Sequence, residues 1–358
     1  MLSDAAYMER ALLLAGRARG QTTPNPVVGA VVVTRDGVVA GSGYHERAGG
    51  PHAEVHALRE AGAAARGATL YCTLEPCSHT GRTPPCVDGI LESGVSRVVA
   101  AVQDPNPLVA GRGFLRLREA GVRVDVGEGA PAARRLNRPF FSAMRRGRPY
   151  VIVKAVTSLD GRVGAGTGAP TRLSGPETDR RTHALRAEVD AIGVGSGTVL
   201  ADDPLLTVRG VYRSRPLARV IFDRRLRTPA SARVFSTLDA GPVIILTETG
   251  APAASARALE SAGATVLRAT GGLTDALRLL APMGIQSVLA EGGPTLHAAI
   301  WREGAADAVR LVVTPRVLGP GGVPWVERNV APWAFWRPVA VEPCGADVII
   351  EADVHWTD

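Results

Sequence analysis

The sequence predicts two α/β domains in tandem. Three observations carry that expectation. Short apolar runs bounded by Gly, Pro, Asn and Asp alternate with stretches of helical periodicity. The alternation is interrupted at Arg145-Arg146-Gly147-Arg148-Pro149. The 358 residues also exceed what one hydrophobic core usually serves.

The first segment reads as a helix with Ser3 as N-cap and Met8, Ala11, Leu12 and Ala15 on one face, ending in the Gly20 region. Strands are expected over Val27–Val33, Val38–Gly43, Thr69–Thr73, Arg97–Val102 and Val122–Val126, with helices opening at His52, Pro85 and Gly111. Strands alternating with helices after the first pair imply a mainly parallel sheet, and this domain is expected over residues 1–145. A second α/β domain, residues 149–358, begins with the strand Tyr150–Val156. Further strands are expected near Ala191–Val194, Arg219–Phe222, Val243–Thr247, Ser287–Ala290 and Val309–Val313. Pro338–Glu342 and Val348–Val354, on either side of Pro343-Cys344-Gly345-Ala346-Asp347, read as a closing hairpin. No solenoid-length repeat is visible.

A composition of 46% hydrophobic, 21% charged and 4% aromatic residues is that of a soluble globular protein and excludes wholesale disorder. No run approaches the ~20 apolar residues of a membrane span, and the N-terminus opens without a signal-peptide pattern, so a cytoplasmic protein without a membrane partner is expected. Four cysteines are too few for a disulfide framework and read as core thiols or metal ligands. The net charge of +7 is compatible with nucleic acid, phosphorylated metabolites or merely a codon bias towards Arg, and the spread of basic residues along the whole chain gives weight to the last. The shortage of aromatic stacking platforms argues against nucleic acid. Lys154 is the only lysine, which singles out that position.

The strongest chemical signal is Pro51-His52-Ala53-Glu54 followed by Leu74-Glu75-Pro76-Cys77 and then Cys86. His52, Cys77 and Cys86 form a three-ligand zinc set that leaves one position for water, the arrangement of a catalytic site. Glu54 is the natural proton shuttle. Residues two apart on a helix point about 200° from each other, so His52 and Glu54 can serve one ion only beyond the helix N-terminal end. A metalloprotease pairing of His52 with His56 fails because Ala53 stands where the general base belongs. His56 and Cys72 read as structural residues, and Cys344 has no partner motif. A structural zinc site would need a fourth ligand, for which His45 or His79 could serve. The His-x-Glu and Pro-Cys pairing is the signature of zinc deaminases acting on amino-substituted pyrimidines and purines.

Generic forms of that signature have two residues between the cysteines, whereas here Ser78-His79-Thr80-Gly81-Arg82-Thr83-Pro84-Pro85 intervenes. A loop with His79, Arg82 and hydroxyls held near the metal suits a substrate phosphate. With Thr23-Pro24-Asn25-Pro26-Val27-Val28-Gly29, Gly43-Tyr44-His45 and Gln103-Asp104-Pro105-Asn106-Pro107, this region closely resembles the deaminase domain of the bacterial bifunctional riboflavin-biosynthesis deaminase/reductase family. The resemblance implies a cytidine-deaminase-like α/β/α fold and one Zn2+ per chain. It further implies that Asn25, His45, Asp104 and Asn106 line the pyrimidine and ribose site, with His79 and Arg82 on the 5′-phosphate.

The second domain lacks Gly-x-Gly-x-x-Gly, so a Rossmann site is not supported. Instead the strand Ser287–Ala290 runs into Glu291-Gly292-Gly293-Pro294-Thr295-Leu296, a glycine turn opening a helix and able to cradle a pyrophosphate; a bare turn is the alternative. Gly193-Val194-Gly195-Ser196-Gly197-Thr198 is a second glycine-rich strand exit. The turn Asp223-Arg224-Arg225-Leu226-Arg227 could meet the 2′-phosphate of NADPH, although Arg225 and Arg227 read equally as solvated. These segments, with Lys154–Arg162, Leu200–Arg209 and Glu291–Ala299, resemble the reductase half of the same family, which implies a dihydrofolate-reductase-like α/β fold. Nicotinamide contacts are then implied at Val156, Thr198, Asp202, Arg224 and the turn Gly293, Pro294, Thr295, Leu296, His297, Ala298 and Ala299. Substrate contacts are implied at Arg186, Leu206, Arg209 and Glu291, with Lys154 and Asp202 near the ribose. Arg186 and Arg209 suit a guanidinium clamp on the phosphate.

The resemblance implies zinc-dependent deamination of 2,5-diamino-6-ribosylamino-4(3H)-pyrimidinone 5′-phosphate, then NADPH reduction of the ribosyl side chain to ribityl. The expected partner is that small phosphorylated pyrimidine, with a homo-oligomer left open. A nucleic-acid base deaminase and a zinc-stabilised binding protein are the rival readings.

Overall fold

The computed structural model describes residues 2–80, 84–166, 171–326 and 337–354. The chain divides into two compact units, Met1–Arg146 and Gly147–Asp358.

In the first unit, α1 (Asp4–Gly16) starts where the Ser3 hydroxyl accepts the Ala6 N–H, and it buries Tyr7, Met8, Ala11 and Ala15. Five strands follow, β1 (Gly29–Val33), β2 (Val39–Tyr44), β3 (Thr69–Cys72), β4 (Arg97–Ala100) and β5 (Arg123–Val126). They form one sheet in the order β2-β1-β3-β4-β5. β1 is antiparallel to both its neighbours, while β3, β4 and β5 run parallel. The helices are α2 (Ala53–Ala61), α3 (Cys86–Ser93), α4 (Arg112–Glu119), α5 (Ala130–Leu136) and α6 (Arg138–Arg146).

Glycines on the first two strands let helix backbones approach closely. A Cβ at Gly29 would meet the Ala11 carbonyl oxygen of α1 at 2.0 Å. Cβ atoms at Gly41 and Gly43 would strike α2 at Ala57 and His56. The first turn of α2 is therefore pressed onto the end of β2, which fixes where His52 and Glu54 can lie. Every residue of β1 is buried, so its sequence reads as a continuous apolar run without alternation.

The second unit begins with β6 (Tyr150–Ser158), β7 (Arg162–Gly164), α7 (Pro176–Glu188), β8 (Ala191–Gly195), α8 (Ser196–Asp202) and β9 (Ala218–Phe222). It continues through β10 (Val243–Glu248), α9 (Ala253–Ser261), β11 (Ala264–Ala269), α10 (Leu273–Arg278), β12 (Ser287–Gly292) and α11 (Pro294–Arg302). β13 (Ala308–Thr314), β14 (Val323–Pro324), β15 (Arg337–Cys344) and β16 (Asp347–Asp353) complete it. Nine strands form a sheet ordered β11-β10-β9-β8-β12-β6-β13-β16-β15, with β7 and β14 in a separate ribbon. The sheet is parallel from β11 to β13 and antiparallel through the β15–β16 hairpin.

A buried carboxylate aligns the middle of this sheet. Asp190 accepts from the Gln286 and Ser287 amides and the Ser287 hydroxyl at 2.9–3.0 Å, tying the start of β8 to that of β12. Arg148, expected at an interdomain boundary, is a core residue of the second unit and grips Asp307 through both Nη atoms at 2.6 and 3.1 Å. Parallel strands carry their ligands at their carboxyl ends, and β6, β8 and β12 end side by side. No helix among the described residues is long and apolar enough to cross a membrane.

Replacing Gly29 with Ala forces β1 and α1 apart. We expect a loss of about 1–3 kcal/mol in denaturant unfolding of the first unit, by analogy with overpacked cores. A variant as stable as the parent would show that the helix can slide without cost.

Candidate functional site

Three elements converge in the first unit. His52 is the extended N-cap of α2, Cys86 is the first residue of α3, and Cys77 lies on the turn beyond β3. The His52 Nδ1 atom is 3.1 Å from Cys86 Sγ and 3.5 Å from Cys77 Sγ. All three ligand atoms lie within 4.8 Å of one another, and among the described residues no further His, Cys, Asp or Glu joins them. The Cys86 amide donates to Cys77 Sγ at 3.3 Å, as expected of a helix start facing a thiolate. Cys77 is held below the usual thiol range, first by the hydrogen bond from Cys86, while Cys86 is pushed up by the same contact. Two thiols beside one imidazole can both ionise only around a cation, so the donor set fits zinc.

Glu54 lies in the first turn of α2 and is only 3% exposed. Its Oε2 is buried without a hydrogen-bond partner, and burial pushes its carboxyl above the usual range. An orphaned buried carboxylate oxygen beside a metal donor set suits a group that exchanges protons with a bound ligand.

His45 is not a fourth ligand. Its Nδ1 donates to the Pro51 carbonyl at 2.9 Å, so its Nε2 accepts from the Asn25 amide at 3.0 Å. Burial lowers its pKa, in keeping with a neutral ring. The turn bearing Asn25 is closed by mutual Thr22–Asn25 hydrogen bonds, leaving the Asn25 Oδ1 as an acceptor for a ligand. Asp104 accepts the Asn106 amide at 2.8 Å, and burial raises its pKa to about 6. Asn106 in turn accepts the Leu108 amide. His79 is exposed, and Arg82 lies outside the described residues.

The sequence reading passed over Glu75. It is 3% exposed, and it accepts the Asp104 amide at 3.2 Å, the Gly111 amide at 2.9 Å and the Gly113 amide at 3.0 Å. A Cβ at Gly113 would meet the Pro76 carbonyl oxygen at 2.0 Å, so the start of α4 packs directly on the Pro76–Cys77 turn. Glu75 thereby ties the loop carrying Asp104 and Asn106 to a ligand-bearing turn. The available signal was an acid three residues beyond a largely buried strand.

In the second unit a cleft of ≈ 1010 Å³ opens at the carboxyl ends of β6, β8 and β12. Lys154, Val156, Thr198, Asp202, Arg224 and Glu291 line it, as do Gly293, Pro294, Thr295, Leu296, His297 and Ala299. Ala298 does not, because α11 turns it into the core. A Cβ at Gly293 would come within 3.2 Å of the Thr198 hydroxyl, so the two glycine-rich exits close on each other. Arg225 and Arg227 also border the cleft, and Arg227 donates to the Ser196 hydroxyl at 2.9 Å.

Arg186 and Arg209, expected to clamp the phosphate, differ in their surroundings. Arg186 makes a bidentate pair with Glu291 at 2.6 and 2.7 Å; the side chains are 13% and 8% exposed, so each needs a counter-charge. Arg209 is exposed, and Leu206 is packed in the core at a positive φ of 54°. Burial pulls Lys154 below its usual value, against the attraction of Glu291. The same burial would raise Glu291, but the Arg186 pair outweighs it and leaves the carboxyl below 4.5.

Two outcomes follow from this geometry. In Glu75→Gln one carboxylate oxygen becomes an NH2, turned either towards the Gly113 amide or towards the Asp104 and Gly111 amides, and the remaining oxygen is a weaker, neutral acceptor for the others. The Asp104, Gly111 and Gly113 amides should then lose hydrogen-exchange protection, with a cost of about 1–3 kcal/mol; unchanged protection would remove Glu75 from this role. The Arg186–Glu291 pair, with a depressed carboxyl, stabilises the fold above pH 4.5, and that contribution is lost as the pH falls through the folded-state value. Glu291→Gln should therefore cost about 3–5 kcal/mol at neutral pH and much less under acid conditions, measured by denaturant unfolding.

Comparison with known proteins finds a family match in each unit. Residues 1–102 match the family "Cytidine and deoxycytidylate deaminase zinc-binding region", and residues 149–350 match "RibD C-terminal domain". The riboflavin biosynthesis protein RibD of Aquifex aeolicus is 42% identical over 354 residues, covering 97% of each chain. That of Escherichia coli is 43% identical over 328 residues and 89% of each chain. Among solved structures, Acinetobacter baumannii RibD superposes with a TM-score of 0.90 at 36% identity over 99% of each chain. The diaminohydroxyphosphoribosylaminopyrimidine deaminase/5-amino-6-(5-phosphoribosylamino)uracil reductase of Thermotoga maritima gives 0.86 at 32% identity over 98% of each chain. The N-terminal unit thus has a cytidine-deaminase-like fold and the C-terminal unit a dihydrofolate-reductase-like fold. With its zinc-type donor set, its cleft and relatives matched along nearly its whole length, this chain belongs to the RibD family, the bifunctional deaminase/reductases of riboflavin biosynthesis.

Proposed function

We propose that residues 1–145 deaminate 2,5-diamino-6-ribosylamino-4(3H)-pyrimidinone 5′-phosphate and that residues 149–358 reduce the ribosyl group of the product to ribityl with NADPH. The observation that carries this reading is the His52, Cys77 and Cys86 donor set beside the unpartnered Oε2 of Glu54.

His52, Cys77 and Cys86 would hold zinc, which when bound would supply the Lewis acidity that makes water a nucleophile near neutral pH. Glu54 takes a proton from the attacking water and returns it to the ring nitrogen, then carries the second proton to the amine that leaves as ammonia. Burial serves this role by bringing the carboxyl closer to neutrality, where it can both accept and donate. Asn25 is held by neutral His45 and presents Oδ1 to a substrate N–H. Asp104 and Asn106, on the loop anchored by Glu75, are assigned to the pyrimidine and ribose, with His79 and Arg82 on the phosphate.

In the reductase half, bound NADPH would supply the hydride for converting the ribosyl group to ribityl. Lys154 lines the cleft, where burial lowers its pKa against the attraction of Glu291, and the two are assigned to orienting the ribose. Val156, Thr198, Asp202 and the turn Gly293–His297 with Ala299 are assigned to the nicotinamide cofactor, and Arg224 to its 2′-phosphate. Arg186, with Leu206 and Arg209, belongs to the substrate side; Arg186 acts through its grip on Glu291.

Ammonia release and NADPH absorbance, followed separately with the diaminopyrimidine ribotide, test both halves. Glu54→Gln should lower ammonia release about 10²–10⁴-fold while bound zinc and NADPH oxidation with pre-deaminated substrate persist. Stripping the metal should abolish only the first activity. Wild-type ammonia release by Glu54→Gln would refute the assigned role.

A further inference from the structure

We propose that Trp325 is a positioning residue of the reductase cleft, acting through His297 on the bulged end of β12 that presents Glu291. The inference rests on the reductase reading above and assigns a function to two residues outside the reacting groups.

His297 sits in the first turn of α11 and is 3% exposed. Its Nδ1 lies 3.0 Å from Trp325 Nε1, and its Nε2 lies 3.1 Å from the Ala290 carbonyl oxygen. An indole N–H can only donate, so Nδ1 must be the acceptor and Nε2 must carry the proton. Both ring nitrogens are thus engaged by the protein, and the His297 side chain has no polar atom left for a ligand. Burial holds the ring neutral, with its pKa lowered to about 4.

The Ala290 carbonyl is a decisive place for such a bond. Ala290 is the last residue of β12 to pair with β6, and the register with β8 slips between Ala290 and Gly292. Glu291 is the residue in that bulge, and a bulge turns a side chain away from the direction the ladder would impose. Here it directs Glu291 towards Arg186 and the cleft. The bond from His297 holds the chain where the ladder lets go.

Trp325 connects this point to the other wall. Its backbone N–H donates to the Gly161 carbonyl at 3.0 Å, beyond the β7–β14 ribbon whose Val163, Gly164 and Val323 line the same cleft. Its ring meets His297 and Trp301 edge-on, with centroids 6.5 and 6.3 Å away. One indole therefore locks the ribbon to the turn that is assigned to the cofactor.

The test uses the full chain with zinc bound. Trp325→Phe keeps the ring but removes the donor; NADPH affinity, read by fluorescence titration, and reductase kcat/KM should each fall about tenfold, with ammonia release unchanged. A neutral amide offers one donor and one acceptor, as neutral His does, so His297→Gln should retain more of both than His297→Leu. Trp325→Phe values within about twofold of the parent, even with a lowered melting temperature, would make the contact merely structural and overturn the proposal. Should Trp325→Phe fail to fold, the Gln and Leu variants at 297 decide, and equal losses in the two overturn it. A parent chain that binds NADPH but does not turn over would overturn the substrate reading, leaving the latch to be judged on affinity. A parent that binds none would overturn both.

Discussion

The close approach of α2 to β2 is the constraint on which the deaminase half depends. Gly41 and Gly43 admit the α2 backbone to distances that any side chain would forbid, and this sets the helix N-terminus opposite the turn after β3. Two helix starts and one strand end then meet at a point. Each helix start contributes unpaired N–H groups and partial positive charge, which favour thiolates. A metal donor set assembled in this way requires no long side chain to reach across open space, and rigid elements fix it to the precision that chemistry demands.

Three buried carboxylates show how partners decide a role. Glu75 receives three backbone N–H groups and is fully satisfied, so it acts as a structural tie. Glu291 receives a bidentate guanidinium, which outweighs its desolvation and keeps it charged in the cleft. Glu54 retains an oxygen with no partner, and desolvation prevails. Burying a carboxylate costs several kcal/mol unless it is compensated, so an uncompensated one is maintained only where the surroundings over-determine it. That inequality separates the proton carrier from the two carboxylates that hold loops and strands in place.

Much of the fold was legible because its signals are local. The Ser3 cap, the apolar face of α1, the strands of both sheets and the Gly293-Pro294 helix start all depend on neighbours within a few positions. The ribbon of β7 and β14 escaped notice because three- and two-residue strands have no readable period. β11 lies at the edge of the sheet and mixes exposed with buried positions, so it carries only a weak apolar signal. Arg148 read as part of a boundary because its partner, Asp307, is remote in sequence.

The sequence by itself determined which residue types could bind zinc, and it singled out His52, Glu54, Cys77 and Cys86 because helix starts and strand ends are written in adjacent residues. It also located the glycine turns on which a cofactor could rest. Only the tertiary structure decided the pairings: Arg186 with Glu291, Glu75 with amides 29 to 38 residues further along the chain, and His297 between Ala290 and Trp325. It also decided that Ala298 faces the core while Ala299 faces the cleft. The physical reason is that a buried polar group must find its partner wherever the packed chain brings one, and helix rotation is set by the whole core, whereas caps, turns and ligand spacing are fixed within a few peptide units.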